Sequence, residues 1–267
     1  MYKTNEKAHV RISAEHVGFH AGGTDILQDI TLQIRKGELV GLIGPNGCGK
    51  TTLLKNLYRV YQPSRGAVYL DGKEMKNMST RTVARQLAVL AQEHNTGFDF
   101  PVIEIVLMGR YAHKQLLESN NDNDLDICEK ALSLVGMLEL KNRSFLSLSG
   151  GEKQRVLLAA AFAQEAGIII LDEPTNHLDI GYQLLIMDII KERKDTTVLA
   201  SIHDLNIAAH YCDRLIAMNH GEIIAAGSPE EVLTVPLMRD LFRVHTRIEK
   251  EKGKLNIFFV GAVKSET

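Results

Sequence analysis

One stretch of the sequence decides the fold: Leu39-Val40-Gly41-Leu42-Ile43-Gly44-Pro45-Asn46-Gly47-Cys48-Gly49-Lys50-Thr51. Its first part, residues 39–43, is almost wholly apolar, as a parallel strand covered on both faces should be. Glycines then interrupt the run, and residues 50–60 resume the apolar pattern at a helical period. A strand, a glycine-rich loop and a helix in this order are the setting of a phosphate-binding P-loop. The stretch therefore predicts an α/β protein that handles nucleotide phosphates.

The glycines of this loop let the backbone fold tightly, so that successive N–H groups point inward at a phosphate. The helix that follows adds its positive end. We expect Lys50 to reach the β- and γ-phosphates of ATP, and the Thr51 hydroxyl to coordinate Mg²⁺. The alternative is a chance glycine turn before a helix, and the position of the loop between a strand and a helix argues against it.

A second phosphate-handling motif is the stretch Ile168-Ile169-Ile170-Leu171-Asp172-Glu173. Four apolar residues before two acids place Asp172 at the carboxyl edge of a parallel sheet, where ligands bind in such folds. There Asp172 would hold Mg²⁺ through water, and Glu173 would polarise the water that attacks the phosphate. Taken alone, the stretch could also be a buried strand that ends in a solvated acidic turn.

A third motif, Leu148-Ser149-Gly150-Gly151-Glu152, opens a predicted helix and forms a second anion cradle. With the Lys153-Gln154-Arg155 that follows, it is similar to the signature sequence of ATP-binding cassette (ABC) ATPases, and the resemblance covers essentially the whole chain. In that family the second cradle closes on the γ-phosphate of ATP held by another subunit. The chain carries one copy of each motif, so the resemblance implies a homodimer with ATP at both seams.

The resemblance also assigns roles to residues outside these three motifs. Gln92 matches the Q-loop glutamine, which senses Mg²⁺ and links the site to a transmembrane partner. Asp179, in Asn176-His177-Leu178-Asp179, matches the D-loop near the dimer seam, and His203 matches the switch histidine that contacts the γ-phosphate. The implied catalytic residues are Lys50, Gln92, Glu173 and His203, and the implied metal ligands are Thr51, Gln92 and Asp172. The implied nucleotide-binding residues are Gly44, Pro45, Asn46, Gly47, Cys48, Gly49, Lys50, Thr51, Thr52, Ser149, Gly150, Gly151 and Asp179.

Two positions depart from the family pattern. Many relatives stack an aromatic residue on adenine at the position that Ala21 occupies here, with Phe19 and His20 as neighbouring substitutes. Cys48 stands in the P-loop where serine is common. A thiol at a helix N-terminus can have a lowered pKa, so one hypothesis is that an alkylating reagent inactivates the protein at Cys48 and that ATP protects it. The alternative is an inert small residue.

The gross composition excludes several classes of protein. The 267 residues carry a formal net charge of −2, so the chain lacks the basic field expected of a nucleic-acid-binding protein. No apolar run approaches the roughly 20 residues of a spanning helix, and the N-terminus has no apolar segment typical of a secretory signal. Three scattered cysteines are typical of free thiols in a reducing compartment.

The order of predicted elements, an α/β core with a helical insertion, together with the family resemblance implies the fold class. We expect one ABC ATPase domain over residues 1–267, with a P-loop NTPase core at about 1–92 and 168–267. This core would hold a mostly parallel sheet and an antiparallel β subdomain, and a helical subdomain at about 93–167 would be inserted into it. Asn219-His220-Gly221 predicts a hairpin turn, Ser228 a helix start, and residues 247–260 a terminal hairpin.

The region after Gln92 narrows the family branch. Phe98-Asp99-Phe100-Pro101 begins the part of the helical subdomain that docks the permease in the family. The later Met108-Gly109-Arg110-Tyr111-Ala112-His113 looks like ATPases of importers for ferric siderophores, haem and cobalamin. That resemblance implies a permease dimer contacted through the helical subdomain, an external binding protein reached indirectly, and a peripheral position on the cytoplasmic face of the inner membrane. The alternatives are a plain amphipathic helix here, a molybdate-type importer, or a non-transport ABC ATPase acting on a soluble complex. A simple P-loop kinase is a distant possibility.

Overall fold

The computed structural model describes residues 9–91, 99–115, 118–176 and 178–263. The strands in these ranges are β1 (Val10–Ala21), β2 (Thr24–Arg35), β3 (Leu39–Ile43), β4 (Arg65–Leu70), β5 (Lys73–Glu74), β6 (Leu87–Leu90), β7 (Ile168–Asp172), β8 (Thr197–Ser201), β9 (Arg214–Asn219), β10 (Glu222–Gly227), β11 (Val244–Glu251) and β12 (Lys254–Ala262). The α-helices are α1 (Lys50–Leu57), α2 (Thr80–Gln86), α3 (Val102–Leu107), α4 (Asp122–Leu134), α5 (Gly150–Ala163), α6 (Ile180–Glu192), α7 (Leu205–Tyr211), α8 (Pro229–Val232) and α9 (Val235–Phe242). Short 3₁₀ helices occupy Met75–Asn77, Met108–His113, Leu138–Leu140 and Phe145–Ser147.

The chain divides into two compact units. The first unit combines Met1–Asn77 with Thr197–Thr267, and the second is the continuous segment Met78–Thr196. The subdomain boundaries expected near residues 92 and 167 stay a prediction. None of the helices in the described ranges has the length and apolar character that a membrane crossing requires.

Parallel strands form the centre of the first unit. β3 lies between β8 and β9 and runs parallel to both, with Leu42 paired to Ser201 on one side and to Ile216 on the other. All five residues of β3 are buried. The expectation of a parallel strand covered on both faces is therefore confirmed, and the strand places the loop that follows it at a sheet edge.

An antiparallel sheet with the order β2-β1-β4-β5 also belongs to the first unit. In β2 the buried Ile30, Leu32 and Ile34 alternate with exposed residues, which is the period-two pattern of a half-buried strand. A turn that contains Gly22 and Gly23 joins β1 to β2, with Ala21 paired to Thr24.

The predicted terminal hairpin is formed by β11 and β12, which pair antiparallel from Val244–Ala262 to Glu251–Lys254. The side chain of Asn206 on α7 meets β12 at Ile257. Its Oδ1 accepts the Ile257 N–H at 2.8 Å and its Nδ2 donates to the Ile257 carbonyl at 3.2 Å. The amide group thus makes the two hydrogen bonds that a neighbouring strand would make there.

The second unit has two parallel strands, β6 and β7, and a group of helices. Apart from an isolated bridge between Pro101 and Ser144, regular structure in residues 102–115 and 118–167 is helical, as expected. The polar stretch at 119–124 is not only a break between helices. Asn121 caps α4 by accepting the N–H of Asp124, and the Asp124 side chain accepts the N–H of Asn121 in return.

A buried ionic cluster stabilises this unit around Asp124. Its carboxylate accepts hydrogen bonds from Lys114 Nζ at 2.6 Å and Arg110 Nε at 3.1 Å, and all three side chains are about nine-tenths buried or more. Arg110 also donates to the carbonyl of Ala163 at 2.6 Å, at the end of α5. Burial raises the pKa of Asp124, but the hydrogen bonds from Lys114 and Arg110 outweigh it and hold that pKa at about 2.

Candidate functional site

The glycine loop after β3 folds against the end of β9. Gly44 has a φ of +151°, and a Cβ at this position would lie 2.3 Å from the carbonyl oxygen of Met218. Only glycine fits so close an approach of two backbones. The loop is thereby held in a shape that a larger residue at this position would change.

Lys50 and the start of α1 supply the positive charge of the loop. Lys50 is only 7% exposed, and its Nζ donates to the carbonyls of Gly44 at 2.8 Å and Pro45 at 3.0 Å. Gly49 occupies the N-cap of α1 and has no side chain to cap it, and the first turn contains no acidic residue. Thr51 and Thr52 follow in that first turn. An ammonium group, uncapped helical N–H groups and hydroxyls together fit a phosphate group.

His203 lies at the same sheet edge as this loop. β3 and β8 are neighbouring parallel strands, and the Ile202 N–H donates to the Leu42 carbonyl at 3.1 Å. The residues just after the two strands, Gly44 on one and the exposed His203 on the other, therefore follow neighbouring carboxyl ends. Within the first unit the structure thus brings together two elements that the sequence separates.

A contact between the β9–β10 hairpin and the loop was not expected from the sequence. The predicted turn at 219–221 is confirmed, and its Gly221 N–H donates to the Cys48 carbonyl at 2.9 Å. Gln28 on β2 binds the other side of this turn, donating its backbone N–H to the Gly221 carbonyl at 2.8 Å and its side chain to the His220 carbonyl at 3.0 Å. The turn therefore supports the glycine loop from outside, a role for which the sequence carries no recognisable signal.

The hypothesis of a lowered thiol pKa at Cys48 is wrong. Cys48 is 4% exposed, and burial raises its pKa more than the nearby charge of Lys50 lowers it. A buried neutral thiol is a weak nucleophile. The burial and the raised pKa of Cys48 favour the alternative, an inert small residue in the loop.

The residues near the expected base-stacking position already have ring partners or hydrogen bonds. Phe19 stacks on Tyr61, with ring centroids 4.9 Å apart and an interplanar angle of 7°. His20 Nδ1 lies 3.0 Å from Asp25 Oδ1, and Ala21 is exposed at the start of the turn. Tyr61 covers one face of the Phe19 ring. Stacking of an adenine base on Phe19 or His20 stays a prediction.

The acidic pair expected at the end of a strand lies at the end of β7 in the second unit. Asp172 is 1% exposed. Glu173 has a φ of +56°, a left-handed conformation that is uncommon outside glycine and is often found at functional sites. The side-chain amide of Asn176 donates to Glu173 Oε2, and Gln154 Nε2 lies 3.5 Å from the Glu173 carbonyl. The carboxylate of Glu173 is thus held by Asn176, in the stretch that resembles the D-loop.

A cavity of about 420 Å³ lies at the start of α5. It is lined by Ser149, Gly150, Gly151, Glu152, Arg155, Leu178, Asp179 and Tyr182. The structure therefore brings the signature residues and Asp179 to one cavity, although the two motifs are separate in the sequence. A Cβ on Gly150 would meet nothing within 4 Å, so this part of the cradle is open.

Ser149 and Glu152 cap α5 reciprocally. The Glu152 N–H donates to Ser149 Oγ at 3.4 Å, and Glu152 Oε2 accepts both the Ser149 N–H and the Ser149 hydroxyl at 2.8 Å. The hydrogen bond from the Ser149 N–H, followed by that from its hydroxyl, lowers the pKa of Glu152. The carboxylate is therefore ionised at neutral pH and lies at the positive end of the helix.

Arg155 lines this cavity and packs against Tyr182, which lines it as well. Its guanidinium lies 3.9 Å from the ring centroid of Tyr182 on α6 and donates to the Val135 carbonyl at 3.0 Å. The side chain is 7% exposed, and its Nε has no hydrogen-bond partner among the described residues. Arg155 was visible in the sequence as the end of the signature stretch, whereas Tyr182 gave no signal of its own.

Some residues of the predicted site and of its motifs lie outside the residues that the structure describes. Gln92 and His177 lie outside the described residues, as does Phe98.

Within the described ranges, no cluster of three or more His, Cys, Asp or Glu side chains could hold a metal ion. Mg²⁺ is usually bound through one or two protein oxygens together with phosphates and water, and Thr51 and Asp172 carry oxygens of that kind.

Comparison with protein families gives a match to the family described as ABC transporter over residues 27–176. The chain is 38% identical over 233 residues to the petrobactin import ATP-binding protein FpuD of Bacillus anthracis, covering 86% of this chain and 85% of that protein. It is 39% identical to the iron(3+)-hydroxamate import ATP-binding protein FhuC of Bacillus subtilis (strain 168), and 37% identical to the ferric enterobactin transport ATP-binding protein FepC of Escherichia coli (strain K12). Each of these two alignments covers 89% of both chains.

Solved structures agree with this match. A metal-chelate type ABC transporter in an inward-facing conformation superposes with a TM-score of 0.79 at 27% identity, over 94% of this chain and 97% of that one. The ADP conformation of an ATP-binding cassette of an ABC transporter superposes with a TM-score of 0.75 at 25% identity, over 86% of this chain and 96% of that one. The expected fold class, an α/β P-loop NTPase core with antiparallel strands and a helical region, is confirmed.

Proposed function

Because the chain belongs to the ABC transporter family, we propose that it is the ATP-binding and ATP-hydrolysing subunit of a metal-chelate importer. The observation that carries the proposal is the set of relatives at 37–39% identity, whose names describe import or transport of petrobactin, iron(3+)-hydroxamate and ferric enterobactin. A cobalamin import ATP-binding protein of Halobacterium salinarum is 39% identical over 82% of this chain. The cargo is therefore an iron chelate, a ferric siderophore or haem, or a related chelate such as cobalamin.

In this proposal the first unit holds the phosphates of ATP. The backbone N–H groups of the glycine loop and the ammonium of Lys50 bind the β- and γ-phosphates, for which Lys50 exchanges its present carbonyl partners. Thr51, Asp172 and Gln92 would hold Mg²⁺. When bound, the metal ion neutralises charge on the β- and γ-phosphate oxygens.

Hydrolysis is assigned to Glu173 and His203. The Glu173 carboxylate orients a water and accepts its proton as the water oxygen bonds to the γ-phosphorus. The bond from the γ-phosphorus to the bridging oxygen breaks, and that oxygen leaves on ADP. His203 contacts the γ-phosphate and is supported here by its exposed position beside the glycine loop.

Two copies of the chain complete each ATP site. The phosphate loop of one copy holds ATP, and Ser149, Gly150, Gly151 and Asp179 of the second copy close on its γ-phosphate. The open cavity that these residues line in a single chain supports this homodimer. Binding of two ATP would close the pair, and hydrolysis would reopen it.

A permease dimer is the proposed membrane partner, contacted through the helical subdomain. Tyr111 and Met108, in the stretch that resembles importer ATPases, are 59% and 40% exposed and are available for such a contact. The subunit would lie peripherally on the cytoplasmic face of the inner membrane and reach an external binding protein only through the permease. No contact with nucleic acid is proposed.

The test is purification of the tagged chain from detergent-solubilised native membranes, followed by identification of its partners and ATPase assay of the complex. We expect a polytopic permease, whose binding protein is then screened with ferric siderophores, haem, cobalamin and molybdate. Lys50→Ala should recover the same permease but lose ATP affinity and hydrolysis. Recovery of soluble partners alone would favour a non-transport ABC ATPase, and binding of molybdate alone would favour an oxyanion importer.

A further inference from the structure

We propose that Glu152 is a positioning residue that weakens the hold of the signature cradle on nucleotide phosphate. The inference rests on the proposed function and deepens it. Two donors of the cradle, the Ser149 N–H and the Ser149 hydroxyl, both point to Glu152 Oε2 at 2.8 Å. The carboxylate of the chain itself therefore occupies hydrogen-bonding groups that an incoming γ-phosphate would use.

An ionised carboxylate at this position opposes a phosphate in two ways. It competes for the same donors, so the phosphate must displace it or share them. It also places negative charge at the positive end of α5 and so offsets the attraction of that end for a second anion. Closure of two copies on ATP then has to overcome this repulsion at each seam.

The charges that line the cavity explain why Glu152 affects anion binding more than its neighbours do. The lining contains two carboxylates, Glu152 and Asp179, against one guanidinium, that of Arg155. Only 7% of the surface of Arg155 is exposed, and its Nε has no hydrogen-bond partner among the described residues. Neutralising Glu152 would leave one carboxylate against one guanidinium, a lining that no longer repels an anion.

The chain offers an internal control for the cap itself. Ser228 and Glu231 form the same reciprocal cap at the start of α8, with Glu231 Oε2 accepting the Ser228 N–H at 2.7 Å and the Ser228 hydroxyl at 3.0 Å. The same two hydrogen bonds lower the pKa of Glu231. The geometry of the two caps is therefore alike, and only the cap at Glu152 lines the cavity that holds the signature residues.

The experiment compares wild type, Glu152→Gln and Glu231→Gln as full-length proteins. Glutamine can still accept the cap hydrogen bonds, so Glu152→Gln removes the negative charge and keeps the competition for the Ser149 donors. Both variants should therefore lose similar, small amounts of thermal stability. We expect Glu152→Gln alone to lower the KM for ATP about two- to fivefold, the range that half-exposed charges produce. Because mobile ions screen exposed charges, this difference should shrink as salt rises from low to high concentration.

A second measurement is the ATP concentration at which each protein dimerises in sedimentation velocity, which does not depend on turnover. We expect a lower midpoint for Glu152→Gln and an unchanged midpoint for Glu231→Gln. If wild type is active and Glu152→Gln has the same KM for ATP and the same midpoint of dimerisation, this inference is overturned and the proposed function stands. A wild type that neither binds nor hydrolyses ATP would overturn both.

Discussion

The backbone N–H of Gly221 donates a hydrogen bond of 2.9 Å to the carbonyl oxygen of Cys48. This contact fixes the glycine loop to a hairpin turn that comes much later in the chain. The same turn accepts hydrogen bonds from Gln28 on β2. The phosphate-binding loop is thus held by an element that makes no contact with nucleotide in the proposed mechanism.

Gly221→Ala should destabilise the protein and distort the loop. Gly221 has a φ of +79°, and a Cβ there would lie 2.3 Å from the carbonyl oxygen of Ile26. The strained backbone and the steric clash together should lower the free energy of unfolding by about 2–4 kcal/mol. Urea unfolding measures this loss, and a raised KM for ATP would report the displaced loop.

Gly253→Ala is the matched control. Gly253 has a φ of +81° in the β11–β12 turn, but a Cβ there would meet nothing within 4 Å. The expected cost is the backbone strain alone, about 1 kcal/mol, with no change in KM. Equal losses in the two variants would show that the contacts around Gly221 contribute little.

Glu173→Gln should bind ATP but hydrolyse it very slowly. The amide keeps the shape of the side chain and cannot accept the proton of the attacking water, so a loss of about 10²-fold or more in kcat is expected. The variant should accumulate as an ATP-bound dimer in size-exclusion chromatography. Glu192→Gln, at the exposed end of α6, is the control, and near-normal turnover in Glu173→Gln would remove Glu173 as the base.

Asp124→Asn should lower the free energy of unfolding by about 3 kcal/mol at pH 7, because Arg110 and Lys114 would keep their charges without a buried counter-ion. The pKa of Asp124 is lowered from 3.8 to about 2 in the folded protein. Its charge therefore stabilises the fold above about pH 4, and this contribution of about 2 kcal/mol is lost as the pH falls toward 2.

Urea unfolding from pH 7 to pH 2 measures the difference between wild type and Asp124→Asn, which should narrow below pH 4. Asp240→Asn removes an exposed partner of Arg239, and because water screens this pair the variant should unfold at nearly the same urea concentration as wild type. If the difference in free energy of unfolding between wild type and Asp124→Asn stays constant down to pH 2, the assigned role of the Asp124 charge is contradicted.

The thiols should react slowly in the folded protein. All three cysteines are buried, and burial raises the pKa of Cys48 and also that of Cys128, the latter to about 12. A chromogenic disulfide reagent at pH 8 should titrate three thiols in denaturant and react with far less than one in the native chain over minutes. Rapid loss of ATPase activity that Cys48→Ser abolishes would restore the reactive-thiol hypothesis.

The sequence predicted those parts of the fold that depend on local patterns. An apolar run before a glycine loop was enough to place β3 and α1. The family motifs likewise indicated which residues to group around phosphate. These features depend on neighbouring residues, so a single sequence carries them.

Features that depend on long-range register were not predictable in the same way. The contact of Gly221 with Cys48 requires the pairing of β3 with β9, and the cluster around Asp124 requires the packing of α4 on the end of α5. The pKa of Cys48 was mispredicted because the helix N-terminus was visible in the sequence, whereas the burial that outweighs it was not. Each case depends on which distant groups surround a side chain.

The amide of Asn206, which completes both hydrogen bonds of Ile257 on β12, has a consequence for crowding. A bare strand edge is a template on which another chain can polymerise. At high protein concentration, two copies can pair through such an edge. By closing this point of the edge with its own side chain, the protein removes a place where open-ended aggregates could nucleate.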